Sequence, residues 1–344
     1  MRDHVHIAPL HGLRGLAALA VLFGHFRGQT KFPDPQLATS IGVVLFFVLS
    51  GFLMGHIYLR ERFTVERGLM YAIARIARIY PLFIFVVCLA AILSLLAKKG
   101  VGPFGMTFER VPEHFLMAGS GATIWTISVE FQFYAAFVLV WWAVSRVPDW
   151  ADQIILSLFA ACTIYVIAAG YPDGRIAFLR YAHIFLIGVI ASIAWRRYPT
   201  VVATASSVAL PVSISYFIAS YFFIPILYDQ NDVYEDLLLC LVCGVLVLTS
   251  VANPTSTTGK ILSSKIAHQL GEMSFGIYLL HRIVMFLWQQ AGYLGLKGIP
   301  LTILLFSSTM LAAWLANNKI ENPCRAAIRD WYADLRQRRS QRVQ

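Results

Sequence analysis

Residues 10–26 read LHGLRGLAALAVLFGHF, an apolar run interrupted by a guanidinium at Arg14 and imidazoles at His11 and His25. A helix of about 20 such residues crosses the ~30 Å hydrocarbon layer of a bilayer. At about 100° and ~1.5 Å per residue, the step from Arg14 to His25 is three turns plus roughly 20°, or about 16 Å. The two side chains therefore share one helix face at two depths. Charged and polar residues within the run, and the lack of a small-residue cleavage site, mark it as a retained helix rather than a signal peptide.

Outward from this stretch (9–28), apolar runs recur near 39–59, 79–97, 124–145, 153–170, 178–195, 201–225, 235–252, 270–292 and 299–318, about ten in all. Composition agrees: of 344 residues 58% are hydrophobic and 13% charged, against roughly a quarter charged in a soluble domain. With a mean hydropathy of +0.66, too little polar surface exists to wrap a core, which excludes a water-soluble enzyme. The expected fold is all-α, a polytopic transmembrane helical bundle built as one integral-membrane domain over residues 1–344. The connection at 147–152 is short enough to force a hairpin, whereas 98–123 is long enough to fold over one membrane face.

The net charge of +10 is unevenly placed. With both termini cytoplasmic, 18 of the 28 Lys and Arg residues fall on the inner side and eight on the outer, while Arg14 and Arg282 lie within spans. Residues 325–344 then read as a basic cytoplasmic tail, solvated beside anionic membrane lipids, and no nucleic-acid partner is expected. Among five cysteines, Cys240 and Cys243 form a C-x-x-C on a continuous apolar helix with no histidine nearby, which reads as packing. No metal site is expected.

Charges at bilayer depth cost at least ~2.5 kcal/mol each on insertion scales, so each calls for a partner, a wet cavity or a function. Arg14 falls near the inner boundary and His25 near the outer one; a snorkelling anchor and a hydrogen-bonded packing histidine are the plainer readings of the two. The fourth span enters from outside, which brings Trp125, Ser128, Glu130 and Tyr134 to the depth of His25. A carboxylate there can orient an imidazole as a general base, or pair with an arginine such as Arg180. Arg75 and Arg78, spaced i and i+3, point the same way and lead into the third span, suited to phosphate oxygens of a ligand or of anionic lipid. Tyr278 and His281 fall mid-span, as an interhelical hydrogen bond or as the lining of a cavity.

Six segments appear together in one order: PLHGLRGLAALAVLFGHF from Pro9, GVVLFFVLSGF from Gly42, RIAR from Arg75, WTISVEFQFY from Trp125, LGEMSFGIYLLH from Leu270 and IENP from Ile320. Over nearly its whole length the chain resembles the membrane-bound acyltransferase 3 family, with Arg14 and His25 as the Arg-x10-His signature and Arg75 and Arg78 as Arg-x-x-Arg. It departs from the family pattern at His11 and Val44, where Asp is usual.

The resemblance implies an O-acyltransferase of the bacterial inner membrane that moves an acyl group, usually acetyl, to a hydroxyl of an extracytoplasmic glycan or glycolipid. The donor is cytoplasmic acyl-CoA, a co-substrate rather than a tightly bound cofactor. His25 is then the expected base, or equally the carrier of a covalent acyl group, with Glu130 its orienter and Ser128, Trp125 or Tyr134 the candidate oxyanion donor. Arg14, Arg75 and Arg78 would hold the donor's phosphates, and Trp125, Tyr134, Arg180, Tyr278 and His281 would line the substrate path. A transporter or flippase of a lipid-linked sugar or acyl metabolite is the competing reading, with Trp141 and Trp142 as sugar platforms. The sequence does not speak to oligomeric state.

Overall fold

A computed structural model describes residues 7–26, 35–97, 101–116, 122–169, 178–227 and 232–341. In chain order the helices are α1 (Ala8–His25), α2 (Pro35–Tyr58), α3 (Val65–Leu96), the short α4 (Val111–Phe115), α5 (Trp125–Arg146), α6 (Ala151–Ala168), α7 (Phe178–Arg197), α8 (Pro199–Leu227), α9 (Leu237–Ala252), the short α10 (Thr257–Leu262), α11 (Lys265–Gln290), α12 (Gly298–Ala316) and α13 (Asn322–Gln341). No strand occurs among the described residues. Each of the ten apolar runs meets a helix. Among the described residues seven helical stretches are long and apolar enough to cross a membrane, against the ten runs expected; α1 is not among the seven, and α8 and α9 contribute shorter apolar runs, Pro199–Ser213 and Leu237–Ala252. The chain is an integral membrane helical bundle.

Two boundaries depart from the hydropathy reading. Helix α3 begins at Val65 rather than near 79, so Arg75 and Arg78 lie inside it instead of leading into it. Its start is set by polar chemistry: the Thr64 hydroxyl accepts the Arg67 N–H at 3.2 Å, capping the first turn. The second departure is the basic segment after Arg325, which is helical to Gln341. A π-helical turn, Asn317–Glu321, joins α12 to α13, and α13 lies along α3, with Arg336 paired to Glu66. The polar face of α13 is exposed, as are Trp331 and Leu335.

Helix α2 runs through the middle, packed on α1 and α7, and α1 packs in turn along α11. Small residues set these distances. A Cβ on Gly51 would sit 1.9 Å from the Phe185 carbonyl oxygen, and one on Gly188 would sit 2.0 Å from that of Val48. No real side chain tolerates such contacts, so α2 and α7 touch backbone to backbone, as small residues allow in membranes.

Helices α1 and α11 run parallel. At one end His11 stacks on His268, and a Cβ on Gly271 would meet the His11 carbonyl oxygen at 2.2 Å. At the other end His25 lies on His281. His11 and His25 thus both face α11.

Gly188→Leu is expected to wedge α2 from α7 and to destabilise the protein by about 1–3 kcal/mol, the range for overpacking. Thermal unfolding in detergent, followed by tryptophan fluorescence, checks this; an unchanged midpoint contradicts the backbone-to-backbone contact.

Candidate active site

The site is built in tiers between α1, α2, α3, α5 and α11. At the His25 end, His25 Nδ1 lies 2.8 Å from the Val21 carbonyl oxygen, one turn back on its own helix. His281 Nδ1 lies 3.1 Å from the carbonyl of Ile277 in the same way. A carbonyl only accepts, so each Nδ1 carries the proton and each Nε2 keeps its lone pair when the ring is neutral. The ring centroids are 4.8 Å apart with planes inclined by 42°. His281 is fully buried, and among the described residues its Nε2 makes no hydrogen bond. Arg282 lies within electrostatic range of both rings.

Tyr278, one turn before Arg282, lies 6.1 Å from the His281 ring between centroids. Its hydroxyl donates to the Thr123 carbonyl at 2.8 Å and sits 2.6 Å from the Thr126 hydroxyl. These contacts join α11 to the start of α5, where Ser128 is buried.

The next tier holds Glu130, and here the sequence expectation is corrected. Glu130 does not orient His25, whose ring is held by Val21. Nor does it pair with Arg180, which lies 3.4 Å from Glu235. Instead the Ser50 hydroxyl donates to Glu130 Oε1 at 2.6 Å, and the Tyr134 hydroxyl donates to the same oxygen. The cause is register: Tyr134 is one turn along α5 from Glu130, and Ser50 comes from α2, which crosses α5 at this depth.

Below Glu130 stand the arginines. Arg14 is in electrostatic contact with Arg78, Glu130, Tyr134 and Arg75. Arg75 is caged by three tyrosines, with its guanidinium carbon 5.5 Å from the centre of the Tyr134 ring, 5.8 Å from that of Tyr71 and 5.9 Å from that of Tyr58. Such cation–π contacts fix it in place, and Tyr71 is itself held by donation to the Tyr134 carbonyl at 2.9 Å. Arg78 faces a separate group with Glu272, Glu321 and Arg325. Glu321, in the π-helical turn, is 2% exposed and lies 3.6 Å from Arg325.

Of the residues singled out in the sequence, Arg14, Arg75, Arg78, Glu130 and Tyr134 are brought together, and His25, His281 and Tyr278 form the tier beyond them. Trp125 and Arg180 belong to a neighbouring aromatic group: the Trp125 ring is 4.9 Å from Tyr181 and 5.8 Å from Tyr234, and the Arg180 guanidinium lies over Tyr181. Sequence reasoning missed Arg282, Tyr58, Tyr71, Glu272 and Glu321. Arg282 was legible as an arginine inside a span directly after His281; the tyrosines have no signal beyond general aromatic content.

A family model described as an acyltransferase domain matches residues 7–318. Acyltransferase MdmB of Streptomyces mycarofaciens is 26% identical, over 93% of this chain and 92% of its own length. Peptidoglycan O-acetyltransferase OatA of Listeria monocytogenes is 26% identical over 93% of this chain but only 56% of its own length. No solved structure matches.

Arg14 and Glu130 lie within electrostatic range of each other, which yields a double-mutant cycle. Arg14→Ala and Glu130→Gln should each lower thermal stability, and together should cost less than the sum, with a coupling of about 0.5–3 kcal/mol. Strict additivity of the midpoints contradicts the proximity.

Proposed function

We propose that this chain, which belongs to the acyltransferase 3 family, is an integral-membrane O-acyltransferase that carries an acyl group from cytoplasmic acyl-CoA to a hydroxyl on an extracytoplasmic glycan or glycolipid. Acetyl is the favoured group, in keeping with the O-acetyltransferase named among the relatives. The observation that carries the reading is the separation of two chemistries along α1. Guanidinium groups gather at Arg14, and imidazole lone pairs are presented one helix length further on at His25 and His281.

The donor's phosphates dock against Arg14 and Arg78, with Arg75 fixed by its tyrosine cage as a static charge behind them. Glu130, held by Ser50 and Tyr134, supplies the counter-charge that lets Arg14 remain at depth when no donor is bound. The thioester extends toward His25. There His25 Nε2 takes the proton of the acceptor hydroxyl as its oxygen attacks the thioester carbonyl. Arg282 lies close enough to both rings to stabilise the oxyanion of the tetrahedral intermediate. The C–S bond then breaks, the proton passes from His25 to the departing thiolate, and free coenzyme A and the acyl ester are released. His281, buried and with Nε2 unoccupied by a hydrogen bond, backs the His25 ring and keeps it turned to α11.

This assignment predicts separable kinetic defects in purified protein assayed for coenzyme A thiol release from acetyl-CoA, with a glycan extract of the host envelope as acceptor. His25→Ala should lower kcat by about 10²–10⁴-fold, the usual share of a general base. Arg78→Ala should raise KM for acetyl-CoA with little change in kcat, because phosphate contacts act equally in ground and transition states. Wild-type turnover in His25→Ala contradicts the assignment. Acceptor-dependent thiol release in detergent also separates an enzyme from a transporter, which needs a sealed compartment to be observed.

A further inference from the structure

We propose that His11, His268 and Glu272 form a binding site for a divalent cation of the zinc class, bridging the starts of α1 and α11. One ligand atom from each of the three lies within 4.8 Å of the others. His11 Nδ1 is 3.3 Å from Glu272 Oε1. Around tetrahedral zinc, with bonds of about 2.0–2.1 Å, neighbouring ligand atoms sit roughly 3.3 Å apart. One edge of that tetrahedron is therefore at its zinc-bound length, and the others close from at most 4.8 Å as the stacked rings turn.

The framework is rigid enough to hold such a site. His268 and Glu272 are spaced i and i+4 on α11, which puts both on one face. The start of that helix is capped by the Ser264 hydroxyl, which accepts the Ala267 N–H at 3.3 Å. His11 arrives from α1 at the point where the two backbones are pressed together over Gly271. Its ring stacks on His268 with centroids 4.8 Å apart and planes inclined by 18°. His11 and Glu272 keep 24% and 29% of their side-chain surface accessible. Solvent thus reaches the group, leaving a fourth position for water, as in open three-ligand zinc sites.

The surroundings select the metal. Arg78 and Arg325 lie in electrostatic contact with Glu272, and Glu321 opposes them with a second carboxylate. A hard cation such as Mg²⁺ needs oxygen ligands and a strongly negative site, which two arginines deny it. Two imidazoles and one carboxylate suit a borderline cation, whose nitrogen bonds do not depend on surplus negative charge. Bound there, the cation staples α1 to α11 at the end remote from His25 and His281 and adds positive charge near Arg78 and Arg325. The site stands apart from the acyl-transfer reading, since nothing in its donor set depends on that chemistry.

The test uses the purified full-length protein, freed of metal with a chelator and titrated with Co²⁺ as a spectroscopic stand-in for zinc. We expect a visible d–d absorption band that saturates at one equivalent and is displaced by Zn²⁺ but not by Mg²⁺. His268→Ala or Glu272→Gln should abolish the band or weaken cobalt affinity at least tenfold. The double variant His25→Asn, His281→Asn should keep it, which separates this site from the imidazole pair at the other end. Independently of any variant, Zn²⁺ and not Mg²⁺ should raise the thermal midpoint of the wild-type protein. A monodisperse wild-type protein that shows no band and no zinc-dependent midpoint overturns the proposal. So does a band unchanged in His268→Ala, or one lost in the His25, His281 variant alone.

Discussion

A charge buried in an apolar bundle persists only where another group answers it, and α1 and its neighbours are arranged around that constraint. Arg14 on α1 lies within electrostatic range of Glu130 on α5. Glu130 is in turn met by hydroxyls from α2 and from its own helix, at Ser50 and Tyr134. Arg75 on α3 is enclosed by three aromatic faces. Removing one member of such a set leaves the others uncompensated, which is costlier than never having buried the set. The polar tiers thereby tie five helices into one register, a role that hydrophobic packing in lipid performs weakly because tails and side chains are equally apolar.

The register matters because α1 and α11 are parallel. Parallel helices carry like depths to like depths: the first turns share His11, His268 and Glu272, and the later ones share His25 and His281. Backbone contact at Gly271 keeps the pair from sliding. His25 and His281 are each oriented by the helix they belong to, through a carbonyl four residues back, rather than by a carboxylate across the bundle. That leaves Glu130 to the Ser50 and Tyr134 hydroxyls, and it ties each imidazole to the axis of its own helix.

Much of this was legible before any coordinates. Hydropathy found a helix under every apolar run because lipid-facing surface must be apolar along its length, and the eleven-residue spacing of Arg14 and His25 gave their shared face. What hydropathy obscured were polar helix ends. The first turns of α3 carry Glu66 and Arg67 and read as a loop, although the Thr64 cap starts the helix. The basic stretch after Arg325 reads as a solvated tail, although a π-helical turn continues it from α12 along α3. Depth alone paired Glu130 with His25. Azimuth decides contacts, and azimuth across different helices is fixed by packing that no local pattern encodes; the same reason hid Arg282 beside two imidazoles and the tyrosine cage around Arg75.

The central claim is that donor and acceptor are handled at opposite ends of one polar seam, so the decisive measurement is sidedness. Membrane vesicles from cells making the protein, prepared inside-out and right-side-out, would receive radiolabelled acetyl-CoA in the external medium. The account predicts label on envelope glycan enclosed within sealed inside-out vesicles, none in intact right-side-out vesicles, and none in inside-out vesicles bearing His25→Ala. Equal labelling from both orientations, or labelling confined to acceptors on the donor's own side, would contradict it.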